Sequence, residues 1–280
     1  MHRNDDHSGS RERHKLYLPR EHGATAMLLT PIVVVAILAR TGRWSELATL
    51  TAAFAALAAK DPLVVLLRQC FVWKRPNPDT PAASRWFAGW SLLFCASGVV
   101  LLLAWPLRAT TAMGAGLVAY SALAVLVNVK NRQRSILFQI ASAVALTSSS
   151  LAACLSATGT IRQWCWWVWL LLAMQATAGI LVVHARLDAR IALRRSIAPS
   201  PEFRRAAIAA LAVMALAGIA ALWLGHIAIA LALFVAVAGH GYDLRAQRSA
   251  AALDMPMQQV GRNSLALSSL YAALLIVGLW

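Results

Sequence analysis

Two short segments of this chain set a single carboxylate among cations: Lys60-Asp61-Pro62, and His184-Ala185-Arg186-Leu187-Asp188-Ala189-Arg190. Carboxylates grouped in pairs can hold magnesium against a substrate phosphate, because magnesium is a hard ion that takes oxygen ligands. One carboxylate flanked by basic residues is a poor magnesium site and a better anion site. Arginine grips a phosphate with two parallel N–H bonds, and lysine attracts it as a point charge. Lys60, Asp61, Arg68, Arg186, Asp188 and Arg190, joined by Lys130 and Arg132 from a third basic segment, are therefore the candidates for holding an anionic headgroup. On a helix, positions 186, 190 and 194 share one face and Asp188 lies on another. A further candidate is Arg20-Glu21-His22-Gly23, where a carboxylate at a helix N-terminus is stabilised by the helix dipole, and where His22 serves equally as a capping or interfacial residue. No catalytic residue follows from these patterns. The four cysteines (Cys70, Cys95, Cys154, Cys165) show neither a CxxC pair nor metal-site spacing, and they read as packing residues.

The elements that must position these side chains are apolar and long. The 280 residues are 60% hydrophobic and 13% charged, with a mean hydropathy of +0.63, whereas a soluble domain carries roughly 25% charged residues. Nine apolar spans can be drawn: 23–39, 45–67, 86–105, 109–129, 135–155, 164–183, 206–224, 227–238 and 264–280. Most approach the roughly 20 residues that a membrane helix needs, and 227–238 is the shortest. With Lys60 and Arg68 assigned to the side on which the second span ends, 22 of the 26 Lys and Arg residues belong to the tail and to every second gap thereafter; the others are Arg40, Arg43, Arg108 and Arg162. Basic residues concentrate on the cytoplasmic side of membrane proteins. The pattern predicts an all-α polytopic protein with its N-terminus in the cytoplasm and its C-terminus outside. The organisation expected is a disordered basic tail over 1–18 and one nine-helix membrane domain over 19–280. If 227–238 did not cross, the last basic gap would fall on the wrong face.

The net charge of +15 invites a nucleic-acid reading. Orientation and contact with anionic lipid headgroups account for the excess, at about 1 kcal/mol per cation near the surface. Membrane lipids are thus the expected partners, and nucleic acid is not. Trp44, Trp105, Trp164, Trp166, Trp167, Trp223 and Trp280 gather at the sparsely charged ends, as indole rings do at the headgroup level. Connections on that side are short, so chemistry is expected on the basic side. In the second span, Lys60-Asp61-Pro62 is followed by an apolar run over 63–67. Either the helix continues past a proline kink into a wet cavity, or the charges mark the membrane edge and 63–67 lies in the interface.

The segment Pro19-Arg20-Glu21-His22-Gly23-Ala24 entering a proline-bearing helix resembles the start of the YwiC-like family of bacterial membrane proteins, with Thr25 where that family usually has an aromatic residue. The wider pattern resembles the UbiA-type prenyltransferases. Tyr120 through Val129-Lys130-Asn131-Arg132, Ser156-Ala157-Thr158-Gly159 and Ser268-Ser269-Leu270-Tyr271 are similar to stretches leaving their fourth and fifth helices and within their last. That resemblance implies a nine-helix bundle with a cytoplasmic-facing cavity and a magnesium-held prenyl diphosphate. The two aspartate-rich motifs it requires are reduced here to Asp61 and Asp188. No cofactor is therefore expected, and magnesium is implied only where the UbiA-like site is functional. The expectation is a bacterial plasma-membrane protein that binds an isoprenoid or another anionic lipid at its cytoplasmic face. The alternatives are a divergent prenyltransferase, a transporter built on breaks at Pro31 and Pro62, and a non-catalytic membrane partner.

Overall fold

The structure, a computed structural model, describes residues 22–75, 78–129 and 135–280. The tail 1–18, Arg20, Glu21, Lys130 and Arg132 lie outside the described residues. Among those described, every regular element is helical. These are α1 (His22–Ala39), α2 (Trp44–Arg68, running into a π-helical turn Gln69–Trp73), α3 (Thr80–Ala104), α4 (Leu107–Val129), α5 (Ile136–Thr147) and α6 (Ser149–Thr158). They continue with α7 (Gln163–Arg195), α8 (Pro201–Trp223), α9 (Ile227–Ala246), the short α10 (Ala250–Leu253) and α11 (Met257–Leu279). Eight segments are long and apolar enough to cross a membrane, α5 and α6 together counting as one. The helix Gly23–Ala39 is a shorter apolar companion. The chain is thus a multi-pass helical membrane protein. The short span drawn at 227–238 extends to Ala246, because Gly239-His240-Gly241-Tyr242 stays helical when packed.

Contacts between helix ends define two faces. At one, the Arg40 guanidinium lies 3.2 Å from the centre of the Trp280 ring, joining the C-terminal ends of α1 and α11. At the same face Trp105 Nε1 donates to Ser156 Oγ at 2.9 Å, and Ser45 Oγ donates to the Ser156 carbonyl at 2.8 Å. These bonds bring together the end of α3, the start of α2 and the end of α6. Cys154 and Cys165 form a disulfide there, with Cα atoms 6.2 Å apart. The packing role expected for all four cysteines is corrected for these two. A pairing between the end of one helix and the start of the next has no signature in a spacing of 11 residues. Arg40, Arg43, Arg108 and Arg162, the four cations outside the basic gaps, all belong to this face.

The bundle is organised around α7, which buries over half of its apolar window, against a ninth or so for α3 and α4. Helices α1, α5, α6, α8, α9 and α11 surround it, and the α2–α3 hairpin with α4 lies outside them. Val35, Val168, Val182, Met214, Leu233, Tyr271 and Leu275 form its centre. Lipid is as apolar as leucine, so close approach of backbones, rather than water exclusion, holds such helices together. Gly278 shows this: a Cβ there would lie 2.9 Å from the Ile229 backbone nitrogen.

Neither Pro31 nor Pro62 breaks its helix; both are buried within continuous α1 and α2. The break falls in the fifth span, at Ser148. Thr147 Oγ1 donates to the Ala143 carbonyl at 2.8 Å and Ser148 Oγ to that of Ala145 at 2.7 Å. Hydroxyls that bond back to the preceding turn compete with the helix and bend it. The interruption is held from outside by Ser149 Oγ, which donates to the Leu28 carbonyl at 2.8 Å. Trp169 Nε1 also donates to the Val144 carbonyl at 3.0 Å.

Candidate functional site

The depth of each candidate follows from the rise of its helix. At about 1.5 Å per residue, Arg190 lies about 40 Å along α7 from Gln163, and Arg186 about 35 Å. A hydrocarbon layer is about 30 Å thick and the whole bilayer 40–45 Å. With the Trp164–Trp169 belt at one interface, Arg186 sits at the far edge of the hydrocarbon and Arg190 among the opposite headgroups.

Arg186 is 2% exposed. Its Nη1 donates to the Ala252 carbonyl at 2.7 Å and its Nη2 to Asp243 Oδ1 at 3.0 Å. It therefore locks α7 to α9 and α10 and is unavailable to a ligand. A buried charge persists when it is paired in this way. Asp188 accepts the Ser200 backbone N–H at 2.6 Å, and Ser200 Oγ in turn accepts the Glu202 N–H at 3.4 Å. The carboxylate thus closes the turn between α7 and α8.

Arg190 differs from both. It is half-buried, and its Nε, like that of Arg186, is sealed from solvent with no acceptor. Among the described residues it has no hydrogen bond or ion pair. Sharing a face with Arg186, it lies one turn farther out, past the lock, with exposed Arg194 beyond it.

Lys60 and Asp61 lie about 24 Å along α2 from Trp44, inside the hydrocarbon depth, by the same rise per residue. Both are half-buried and both have partners. The helix continues through Pro62 to Arg68 instead of turning into the interface. Arg68 is likewise half-buried and partnered. Thr80 Oγ1 donates to Gln69 Oε1, tying the π-helical turn to the start of α3. His22 opens α1, and Gly23 follows it on an exposed position.

The two carboxylates stand on helices that are not principal neighbours. α2 packs mainly on α3, α6, α1 and α4, whereas α7 packs mainly on α8, α5, α6 and α9. With Asp188 bound to Ser200, this arrangement does not fit a shared magnesium–diphosphate site. Among the described residues no three His, Cys, Asp or Glu side chains are grouped to hold a metal ion.

The sequence reading missed a buried polar line. Gln175 Nε2 donates to Ser268 Oγ at 3.1 Å and lies 3.4 Å from His240 Nε2, joining α7, α11 and α9 near the membrane centre. Toward the basic face, Gln247 Nε2 donates to the Val182 carbonyl at 3.1 Å. Toward the other, Tyr271 donates to the Leu171 carbonyl at 3.0 Å. Beyond Leu171 the buried residues of α7 are Val168 and Cys165, so the line stops short of the outer end. Gln175, a lone amide amid the 164–183 span, was the available signal. His240 and Asp243, three apart on one helical face, were another. A groove of about 430 Å³ lies elsewhere, between α2 and α3, lined by Trp44, Leu47, Thr51, Ser97 and Val100.

A multi-pass helical membrane protein is the class these features define. Residues 18–154 match the family described as YwiC-like protein, just under half of the chain. The resemblance read from Pro19-Arg20-Glu21-His22-Gly23-Ala24 is thus borne out. The match covers α1 to α5 and the first part of α6, with Lys60, Asp61 and Arg68, and ends before α7 and Arg190. No curated protein matches the chain, and no solved structure does.

Proposed function

We propose that this protein binds a phosphate-bearing lipid at the cytoplasmic end of α7, with Arg190 gripping the headgroup, and that it does so without chemical turnover. It would reside in the bacterial plasma membrane with its N-terminus in the cytoplasm and its C-terminus outside. The observation carrying the reading is Arg190 itself. It is a half-buried guanidinium at headgroup depth with no counter-ion among the described residues, while its neighbours Arg186 and Asp188 are both engaged. An arginine so placed gains most from a bidentate phosphate. Isoprenoid diphosphates and ordinary anionic phospholipids share that chemistry, and the metal-dependent transfer implied by the UbiA resemblance has no support from Asp61 and Asp188. The test is binding in nanodiscs of phosphatidylcholine, phosphatidylcholine with phosphatidylglycerol, and phosphatidylcholine doped with a polyprenyl phosphate. Arg190 would be watched by crosslinking from a photoreactive headgroup. Crosslinks to residues 186–194 in either anionic mixture, lost in Arg190→Gln, support the reading, and the mixture that labels names the lipid. Equal labelling in phosphatidylcholine alone contradicts it.

A further inference from the structure

We propose that Cys154 and Cys165 are a built oxidation site on the outer face, closed there by a disulfide-bearing thiol oxidant, and that the bond clamps the outer half of the broken fifth span onto α7. This rests on the orientation just proposed, and it adds a chemical partner and a redox environment to the opposite end of the molecule.

Three observations converge on this pair. The two cysteines are bonded, and both are fully buried. They lie at the end where Arg40, Trp105, Trp164 and Trp280 gather, away from the basic gaps. Disulfides persist in oxidising compartments and are rare in the reducing cytoplasm. The bond therefore assigns the same face to the exterior as the charge alternation does, through chemistry unrelated to charge. The free cysteines fit the same division: exposed Cys70 lies on the π-helical turn at the basic end of α2, and Cys95 is within α3.

The mechanical role follows from the break at Ser148. Set off from α5 by the turn at Ser148, α6 is a separate ten-residue helical segment. At its far end Ser156 ties it to α2 and α3, and the loop 159–162 leads to α7. That loop is held by Gly159 at φ +76° and by Thr158 Oγ1, which donates to the Thr160 carbonyl at 2.6 Å. The disulfide adds the covalent tie to α7. In forming, the two thiols lose two protons and two electrons. The oxidant's disulfide accepts them and becomes a dithiol, after thiolate attack and a mixed-disulfide intermediate.

The experiment uses the full chain carrying Cys95→Ala, expressed in cells with and without their envelope thiol oxidant. Free thiols are trapped in acid and blocked, disulfides are then reduced, and the released thiols are tagged with a heavy maleimide. Two tags per chain are expected in oxidant-competent cells, none in Cys154→Ser/Cys165→Ser, and a loss of at least half without the oxidant. Cys154 and Cys165 recovered as thiols in competent cells would overturn the proposal, as would tagging that ignores the oxidant. In parallel, a membrane-impermeant maleimide reports the side of Cys70. Labelling only in inverted vesicles supports the orientation, and labelling on intact cells overturns the orientation itself, separately from the oxidation state.

Discussion

Replacing either partner of the Arg186–Asp243 pair should destabilise the protein unequally, and the inequality can be worked from exposure. Arg186 is 2% exposed, and Asp243 is 36% exposed at the basic ends of the helices. Asp243→Leu strands a buried guanidinium on the Ala252 carbonyl alone, and removing one partner of a buried pair costs about 3–5 kcal/mol. Arg186→Met leaves a carboxylate that water already reaches and one uncapped carbonyl. The loss is then closer to that of a hydrogen bond to a charged group, about 1.5–3 kcal/mol. The expected gap is about 2 kcal/mol, which is more than a tenfold difference in the unfolding equilibrium. In Arg186→Met/Asp243→Leu the stranded charge is gone, so the double variant should be no worse than Arg186→Met. The assay is unfolding in mixed micelles of rising SDS fraction, followed by tryptophan emission. Equal costs for the two single variants, or a double variant whose loss equals their sum, would refute the reasoning that burial of Arg186 sets the magnitude.

Further outcomes follow from other contacts. Gly278→Leu should lower stability by about 1–3 kcal/mol or more, since its Cβ would meet the Ile229 backbone at 2.9 Å. Gly261→Leu, with open space around it, should be nearly silent in the same titration. Ser156→Ala removes the acceptor of Trp105 Nε1 and a hydroxyl 2.5 Å from Thr49 Oγ1. A cost of about 1–3 kcal/mol is expected there, with no change in lipid retention. Asp188→Ala should release the Ser200 N–H, so hydrogen exchange over residues 196–202 should quicken at least tenfold. Asp188→Asn should retain lipid as wild type does, because the carboxylate closes a turn and does not face a ligand.

Much of the architecture was readable because the membrane imposes it. Lipid cannot satisfy backbone groups, so each crossing must be a helix, and hydropathy shows where these fall. Charge alternation placed the ends of α1 and α11 on one face, and Arg40 lies on Trp280 there. What remained hidden depended on three-dimensional partners. Breaks were expected at Pro31 and Pro62, in the first and second spans, yet both prolines are carried by intact helices. The serine and threonine hydroxyls of residues 147–150 interrupt the fifth span instead. Cys154 and Cys165 could not be paired from spacing. Within the candidate site, sequence put Arg186, Asp188 and Arg190 in one group. Only packing separates them, because the partners of Arg186 are 57 and 66 residues away and no local pattern announces such neighbours. Gln175 and His240 stood out on their apolar helices, but their pairing with each other and with Ser268 was hidden for the same reason.

The claim that Arg190 holds a phosphate lipid is tested most directly by native mass spectrometry of the protein purified from its own membrane, as wild type, Arg190→Gln and Arg190→Lys. Wild type should carry a phosphate-bearing lipid, Arg190→Gln should lose at least nine-tenths of it, and Arg190→Lys should retain an intermediate share, because a point charge replaces a fork. Wild type stripped of every phosphate lipid, or Arg190→Gln retaining as much as wild type, would contradict the account.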